Sequence, residues 1–407
     1  MRVGIFTETF FPEINGVATS VLLLQRELEK RGHTAYVFTS SNPKMKHEED
    51  VPHTFRLPSA PFIFLPSRRM AVVYNKRVAR QIESLNLDIV HTNTEFSLGM
   101  FGKLSAAVLN KPVIHTYHTL YEDYVHYITR GHFKHFSTEM AKLFSKTYCN
   151  SCDAIVVPTD KTRDLLLQYN VERPISVIPT GIDIEPFRKK DGDCEEIRAI
   201  KKKYGIREDD KVVLYVGRLA KEKNIDAIVT NLPAYIQKNP KTKFLIVGDG
   251  PWKKEIENEA HNRGIGNHII FTGEQPWKDI SKFYKLGDVF VSASLSETQG
   301  LTFIEAMAAG IPVLAKRDRS IEKLILDNCS GCIFTEDHEI PQKLQQILGD
   351  ADFGGRLAKN GLEIAEKNSS ERFAQNIERA YEETIKVWVD SGKRHKLNKK
   401  LIKKLIM

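Results

Sequence analysis

Short apolar runs alternate with amphipathic segments twice along this chain, and that alternation constrains the fold more than any single residue does. RVGIFTE (2–8), TAYVFTS (34–40), LDIVHT (87–92), PVIHTYH (112–118), AIVVPT (154–159) and ISVIPTG (175–181) read as buried strands. Helical patterns at 16–32 (closed by Gly32), 70–84, 98–109 and 160–169 lie between them. The turn-rich run GIDIEPFRKKDGDCEE (181–196) reads as a linker, and the pattern then restarts. Strands are expected at 211–219, 242–250, 268–274, 288–294 and 312–317, and helices at 224–237, 252–262, 277–286 and 301–309. Buried strands separated by helices form parallel sheets covered on both faces. The expected fold is α/β, with two doubly wound Rossmann-like domains over 1–185 and 196–370 facing a cleft. A length of 407 residues suits two cores. A late helix, about 371–390, is expected to cross back onto the first domain.

No apolar run is long enough to span a bilayer, and the first residues read as a strand rather than a signal peptide. A cytoplasmic protein is expected, and five cysteines fit that compartment. Cys149/Cys152 and Cys329/Cys332 have the spacing of a four-thiolate zinc site. The pairs fall in different expected domains, so ordinary cysteines are the expectation. Asp191-Gly192-Asp193 resembles a metal-binding D-x-D but follows a basic run in the linker, and no metal is expected there.

The chemistry concentrates in SLSETQGLTFIEAMAAG (294–310). A strand ends at Ser294 and a helix begins at Leu301, so the amides of Gly300, Leu301 and Thr302 can receive a phosphate. Glu305, about one turn into the helix, can accept hydrogen bonds from two ribose hydroxyls. Glu297, ahead of the helix, can reach a sugar beyond the phosphates. Taken alone, both glutamates could instead only complement the helix dipole.

SETQGLTFIEAMAAGIPV resembles the E-x7-E motif of retaining GT-B glycosyltransferases of family 4. Around it stand VGRLAKEKN (216–224), IVGDGPWKKEIE (246–257), FTGEQPWKDISKFYKLGDVFVSAS (271–294) and VIPTGIDIEPF (177–187), in the family's order. ETFFPEINGVATSV (8–21) resembles the family's glycine loop. The resemblance implies that Arg218 and Lys223 hold the diphosphate and stabilise charge on the leaving nucleotide. It implies that Glu297 contacts the transferred sugar and Glu305 the ribose, with backbone around Glu274 and Gln275 at the base. Gly16 is expected to leave room for the phosphate. The family often has Gly-Gly there, whereas this chain has Asn15-Gly16. His118 matches a position where the family tends to place a histidine near the sugar; His115 has no such match.

No residue is an obvious general base for the acceptor or nucleophile under the anomeric carbon. The resemblance implies retention by front-face attack, the departing phosphate oxygen taking the acceptor proton. Positioning and charge stabilisation are then the protein's work, and neither a cofactor nor a metal is required.

Three segments bear on the acceptor. PSRRMAVVYNKRVAR (66–80) has five basic residues and no acid. YVHYITRGHFKHFSTEMAKLFSK (124–146) mixes aromatics, histidines and lysines. The last 17 residues (391–407) hold seven Lys or Arg and no acid, leaving about +1 of the net +8 for the rest. Leu397, Leu401 and Leu405 share one face of that tail. Such faces bind anionic bilayers, each cation adding about 1 kcal/mol, though each is also compatible with a solvated helix. Nucleic acid is not an expected partner. YHTLYEDYVHYITRG (117–131) resembles the acceptor region of bacterial diacylglycerol glucosyltransferases. That implies transfer of glucose from UDP-glucose to the 3-hydroxyl of 1,2-diacylglycerol, by an enzyme peripheral on the inner face of the cell membrane. A UDP-galactose donor, a glycolipid or polysaccharide-precursor acceptor, and a non-catalytic surface binder stay open.

Overall fold

The computed structural model describes residues 1–13, 15–42, 51–62, 65–71, 76–118, 134–294, 297 and 299–392. The chain forms two compact units, Met1–Gly181 with Ser370–Met407, and Ile182–Ser369.

The first unit contains β1 (Arg2–Phe6), β2 (Thr34–Ser40), β3 (Thr54–Leu57), β4 (Ser59–Phe62), β5 (Leu65–Ala71), β6 (Ile89–Thr92), β7 (Val113–Thr116), β8 (Ala154–Val157) and β9 (Ile175–Val177). Seven of them form a parallel sheet in the order β3-β2-β1-β6-β7-β8-β9. Every residue of β6 and β7 is buried, as helices on both faces require. β4 and β5 pair antiparallel on their own. They correct the expected helix at 70–84: residues 65–71 are extended, and the helix runs only over Lys76–Ser84. Ser59 holds the hairpin register, its Oγ accepting from Arg69 Nε at 2.8 Å and its carbonyl from Arg69 Nη2 at 2.6 Å.

Helix Gly16–Lys30 starts at an Asn15 cap, whose Oδ1 accepts from the amides of Val17 (3.1 Å) and Ala18 (3.0 Å). It stops before Gly32, which sits at φ 82°. Helix Ser370–Asp390 belongs to this unit. Its Phe373, Ala374, Ile377 and Tyr381 recur at helical spacing and bury against Val3, Ile5, Val21 and Leu28.

The second unit contains β10 (Lys211–Val216), β11 (Thr242–Val247), β12 (Ile269–Gly273), β13 (Val289–Ser292), β14 (Val313–Lys316) and β15 (Cys332–Phe334). They form one parallel sheet in the order β12-β11-β10-β13-β14-β15. Strand order reverses between β10 and β13, as it does between β1 and β6 in the first unit. Doubly wound sheets bind ligands at the carboxyl ends of strands flanking such a reversal. The expected linker at 181–196 is not all loop: Asp191–Asp193 is a 3₁₀ turn and helix Cys194–Lys203 starts inside it. That helix only half-buries Ile197 and Ile200 against the core, a stripe of two residues too short to read among its charges.

Candidate active site

The loops after β10, β11 and β12 are tied together by backbone. Gly217 N donates to Val247 O (2.9 Å), Leu219 N to Asp249 O (2.9 Å) and Gly248 N to Gly273 O (3.0 Å). The packing leaves no space for side chains: a Cβ on Gly248, at φ 139°, would stand 2.0 Å from Gly217 O, and one on Gly250 2.2 Å from Leu219 O. On this brace the chain turns through Lys221–Lys223 to Asn224 at φ 51° and presents Lys223. The Lys223 ammonium lies 2.7 Å from Glu297 Oε1 and 3.3 Å from Ser294 Oγ. Arg218, with 53 % of its side chain exposed, pairs with Glu222 one turn on.

Glu297 stands between β13 and helix Leu301–Ala308, its carbonyl accepting from Ser320 Oγ at 2.7 Å. The helix's cap residue, Gly300, has no side chain to offer, and an anion suits the first-turn amides at Leu301 and Thr302. Gly300 enters the helix at φ 80°, and a Cβ there would meet Phe303 at 2.9 Å. Glu305, partly buried, accepts from the buried Tyr284 hydroxyl at 2.6 Å. Burial raises its carboxyl to about 7 against the opposing pull of that hydrogen bond. Tyr284 was not singled out in the sequence; an aromatic in an apolar helix gives no sign of a carboxylate partner. Gln275 Nε2 is anchored on Thr272 O at 2.8 Å, just past Gly273 at φ 73°, and Glu274 adjoins it. Arg218, Lys223, Glu274, Gln275, Glu297, Gly300, Leu301, Thr302 and Glu305 thus all stand at the carboxyl edge of one sheet.

Gly16 and His118 stand at the corresponding edge of the first unit's sheet. A Cβ on Gly16 would meet no described atom within 4 Å, so the fold's own packing does not require glycine there. The amides of Val17 and Ala18 are already taken by Asn15, which separates this turn from a bare glycine loop. His118 gives its Nε2 to Asn93 Oδ1 at 2.9 Å. Burial, with His115 nearby, lowers its pKa to about 3, so the ring is neutral. With Nε2 carrying the proton, Nδ1 offers a lone pair and can accept from a hydroxyl. His115 is fully buried between Thr92 (Nδ1 to O, 2.9 Å) and Glu95 (Nε2 to Oε1, 3.3 Å). Glu8 completes the group; burial raises its carboxyl to about 7, and Leu98 N donates to its Oε1 at 2.5 Å.

The cysteines form no disulfide among the described residues: Cys149, Cys152 and Cys332 are buried, Cys194 and Cys329 exposed. Asp193 Oδ2 accepts from Lys190 N and from Lys285 Nζ, both at 2.8 Å, so that carboxylate serves the turn. No group of three or more metal-type side chains occurs among the described residues, and no described helix is long and apolar enough to cross a membrane. Phe96, Met100, Met140, Leu143 and Phe144 are exposed in the first unit, with the Phe96 and Phe144 rings stacked at 6.0 Å. Residues 119–133, most of the resemblance-based acceptor region, and the tail at 393–407 lie outside the described residues.

The Glycosyltransferase Family 4 model matches residues 14–186, and the Glycosyl transferases group 1 model matches 196–364. The alpha-monoglucosyldiacylglycerol synthase of Streptococcus pneumoniae is 36 % identical over 95 % of this chain and 86 % of its own length. That of Acholeplasma laidlawii is 34 % identical over 99 % of this chain and all of its own. Among solved structures, Anabaena HepE in complex with UDP superposes with a TM-score of 0.73 at 18 % identity, covering 94 % of this chain and 100 % of that one. Sucrose-phosphate synthase from Thermosynechococcus elongatus gives 0.74 at 21 % identity, covering 94 % and 98 %. These two likenesses bear on the fold alone.

Proposed function

This chain belongs to glycosyltransferase family 4, and from that premise we propose that it moves glucose from UDP-glucose to the 3-hydroxyl of 1,2-diacylglycerol, with retention, at the cytoplasmic membrane surface. The observation that carries the donor half is the placement of Lys223, 2.7 Å from Glu297, beside the start of helix Leu301–Ala308. A cation, helix amides and two carboxylates there match a sugar diphosphate and its ribose. Arg218 and Lys223 offset the charge that grows on the departing UDP. Glu305 takes the ribose hydroxyls, Glu297 the glucose, and the backbone at Glu274 and Gln275 the uracil. His118 accepts from a glucose hydroxyl through Nδ1. The departing phosphate oxygen takes the acceptor proton, and the reaction needs no metal or other cofactor.

The acceptor half rests on the two synthases above, whose names specify monoglucosyldiacylglycerol. The exposed Phe96, Met100, Met140, Leu143 and Phe144 supply an apolar face suited to acyl chains, and the basic segments suit an anionic bilayer. The test incubates the protein with radiolabelled UDP-glucose and diacylglycerol in micelles doped with anionic lipid, then extracts into chloroform. Label that migrates as an α-monoglucosyl lipid supports donor, acceptor and retention together. UDP release without lipid label removes diacylglycerol and directs the search to glycolipid or polysaccharide-precursor acceptors. Failure to consume UDP-glucose removes that donor, with UDP-galactose next.

A further inference from the structure

At the strand-order reversal of the first unit, two side chains carry buried polar atoms that find no partner among the described residues: Glu8 Oε2 and Asn93 Nδ2. The backbone places them together. Asn93 N donates to Phe6 O at 2.9 Å at the end of β1, and Glu8 N donates to Thr94 Oγ1 at 3.1 Å just past β6. Each side chain is fixed by its other polar atom. Asn93, 3 % exposed, has Oδ1 held by His118, and its amide NH2 has no partner among the described residues. Glu8 Oε1 accepts from Leu98 N (2.5 Å) and Ser97 Oγ (3.2 Å), capping helix Ser97–Leu109 and leaving Oε2. Native folds pair nearly all their buried polar atoms, so an orphan acceptor and an orphan donor on neighbouring backbone segments, at the edge where such sheets bind ligands, call for a ligand with both functions.

We propose that Glu8 and Asn93 hold the polar end of the acceptor alcohol: Glu8 Oε2 accepts a hydrogen bond from the attacking hydroxyl, and Asn93 Nδ2 donates to an adjacent oxygen, such as an ester carbonyl on the neighbouring glycerol carbon. This inference rests on the glycosyltransferase reading and names residues that grip its acceptor. Glu8 orients the hydroxyl but is not its final base. The hydroxyl's single proton is shared with Glu8 Oε2 before reaction; as the hydroxyl oxygen bonds to the anomeric carbon and the bond to UDP breaks, that proton leaves Glu8 and goes to the departing phosphate oxygen. Because Glu8 stays hydrogen-bonded to a helix terminus throughout, the hydroxyl is held by a group with little freedom to shift.

The test uses Glu8→Gln in the full-length protein, which keeps a carbonyl oxygen for Leu98 and Ser97 and puts an NH2 where Oε2 stands. With UDP-glucose and dioleoylglycerol in mixed micelles, KM for dioleoylglycerol should rise about tenfold or more, the loss of one hydrogen bond to a charged group. The UDP dissociation constant and KM for UDP-glucose should stay within about twofold. Asn93→Ala should raise the lipid KM likewise and leave the UDP dissociation constant within about twofold, while KM for UDP-glucose rises too because Asn93 holds His118. Unchanged lipid KM in both variants, or equal loss of UDP binding, overturns the proposal. If Glu8→Gln does not fold, Asn93→Ala decides by the same criterion. If the wild-type protein glucosylates monoglucosyl-dioleoylglycerol and not dioleoylglycerol, the diacylglycerol reading fails, and the same split measured on that lipid still judges Glu8 and Asn93.

Discussion

The ammonium of Lys223 and Oε1 of Glu297 lie 2.7 Å apart, so the cation proposed for the diphosphate pairs with the carboxylate proposed for the sugar. Donor binding then has to share or exchange that ion pair. Glu297→Gln removes the competing anion. UDP should bind severalfold more tightly, while kcat falls about 100-fold or more through lost positioning of the glucose. Calorimetry with UDP and the lipid-transfer assay read the two effects separately. A drop in both would mean that Lys223 does not serve the phosphate.

Glu305→Ala should weaken UDP by about tenfold or more, since a charge-assisted contact to the ribose is lost. Tyr284→Phe should weaken it less, because the carboxylate remains and loses only the donor that steadies Oε2. Unchanged UDP affinity in Glu305→Ala would remove the ribose assignment.

The pH dependence follows from the same carboxyl. A group that accepts two ribose hydroxyls binds best when ionised, and burial holds Glu305 at about 7 without ligand. UDP affinity should therefore fall as pH drops below about 7 and level off above it. Calorimetry in buffers of different ionisation enthalpy should show proton release near pH 6.5. Stability runs the other way. The folded state holds this proton above the unfolded value of 4.5, so the raised carboxyl costs stability increasingly from 4.5 up to about 7. Glu305→Gln should gain thermal midpoint over wild type at pH 8 and gain little at pH 5.

Gly248→Ala tests the brace beneath the cations. Its φ of 139° and the 2.0 Å approach to Gly217 O leave the new methyl no place. The cost should be about 2 kcal/mol or more in urea unfolding, accompanied by weaker UDP binding. A variant as stable as wild type would contradict the packing of these loops.

Deleting residues 391–407, with their seven basic residues, should weaken binding to anionic vesicles and make the remaining binding less salt-sensitive. Equal vesicle binding by the shortened chain would remove the tail from the membrane contact.

The doubly wound sheets were legible because their central strands are continuous apolar runs between helices, with glycines where the chain turns. The residues proposed for the donor stood out for the same reason: Arg218, Lys223 and Glu297 lie in strand-to-helix turns near Gly217 and Gly300, and Glu305 lies in the helix that follows. Tyr284 and Asn93 did not, because their importance lies in partners distant along the chain, Glu305 and His118. Helix Cys194–Lys203 escaped because only Ile197 and Ile200 pack, half-buried, against the core, and β5 because its basic run also fits a helix. β15 has only three residues, too few to show a period.

The second unit is one uninterrupted stretch, Ile182–Ser369, whose ends close on each other: Ile182 N donates to Asn368 O at 3.1 Å. The first unit, by contrast, lacks Phe373, Ile377 and Tyr381 of its core until helix Ser370–Asp390 has been made. On the ribosome, where domains fold as they emerge, the order of completion is therefore inverted. The half that is begun first waits, its sheet face uncovered, while the second unit is translated and can fold. Only the final helix then closes it, which makes that open face the stage of biosynthesis most in need of a chaperone.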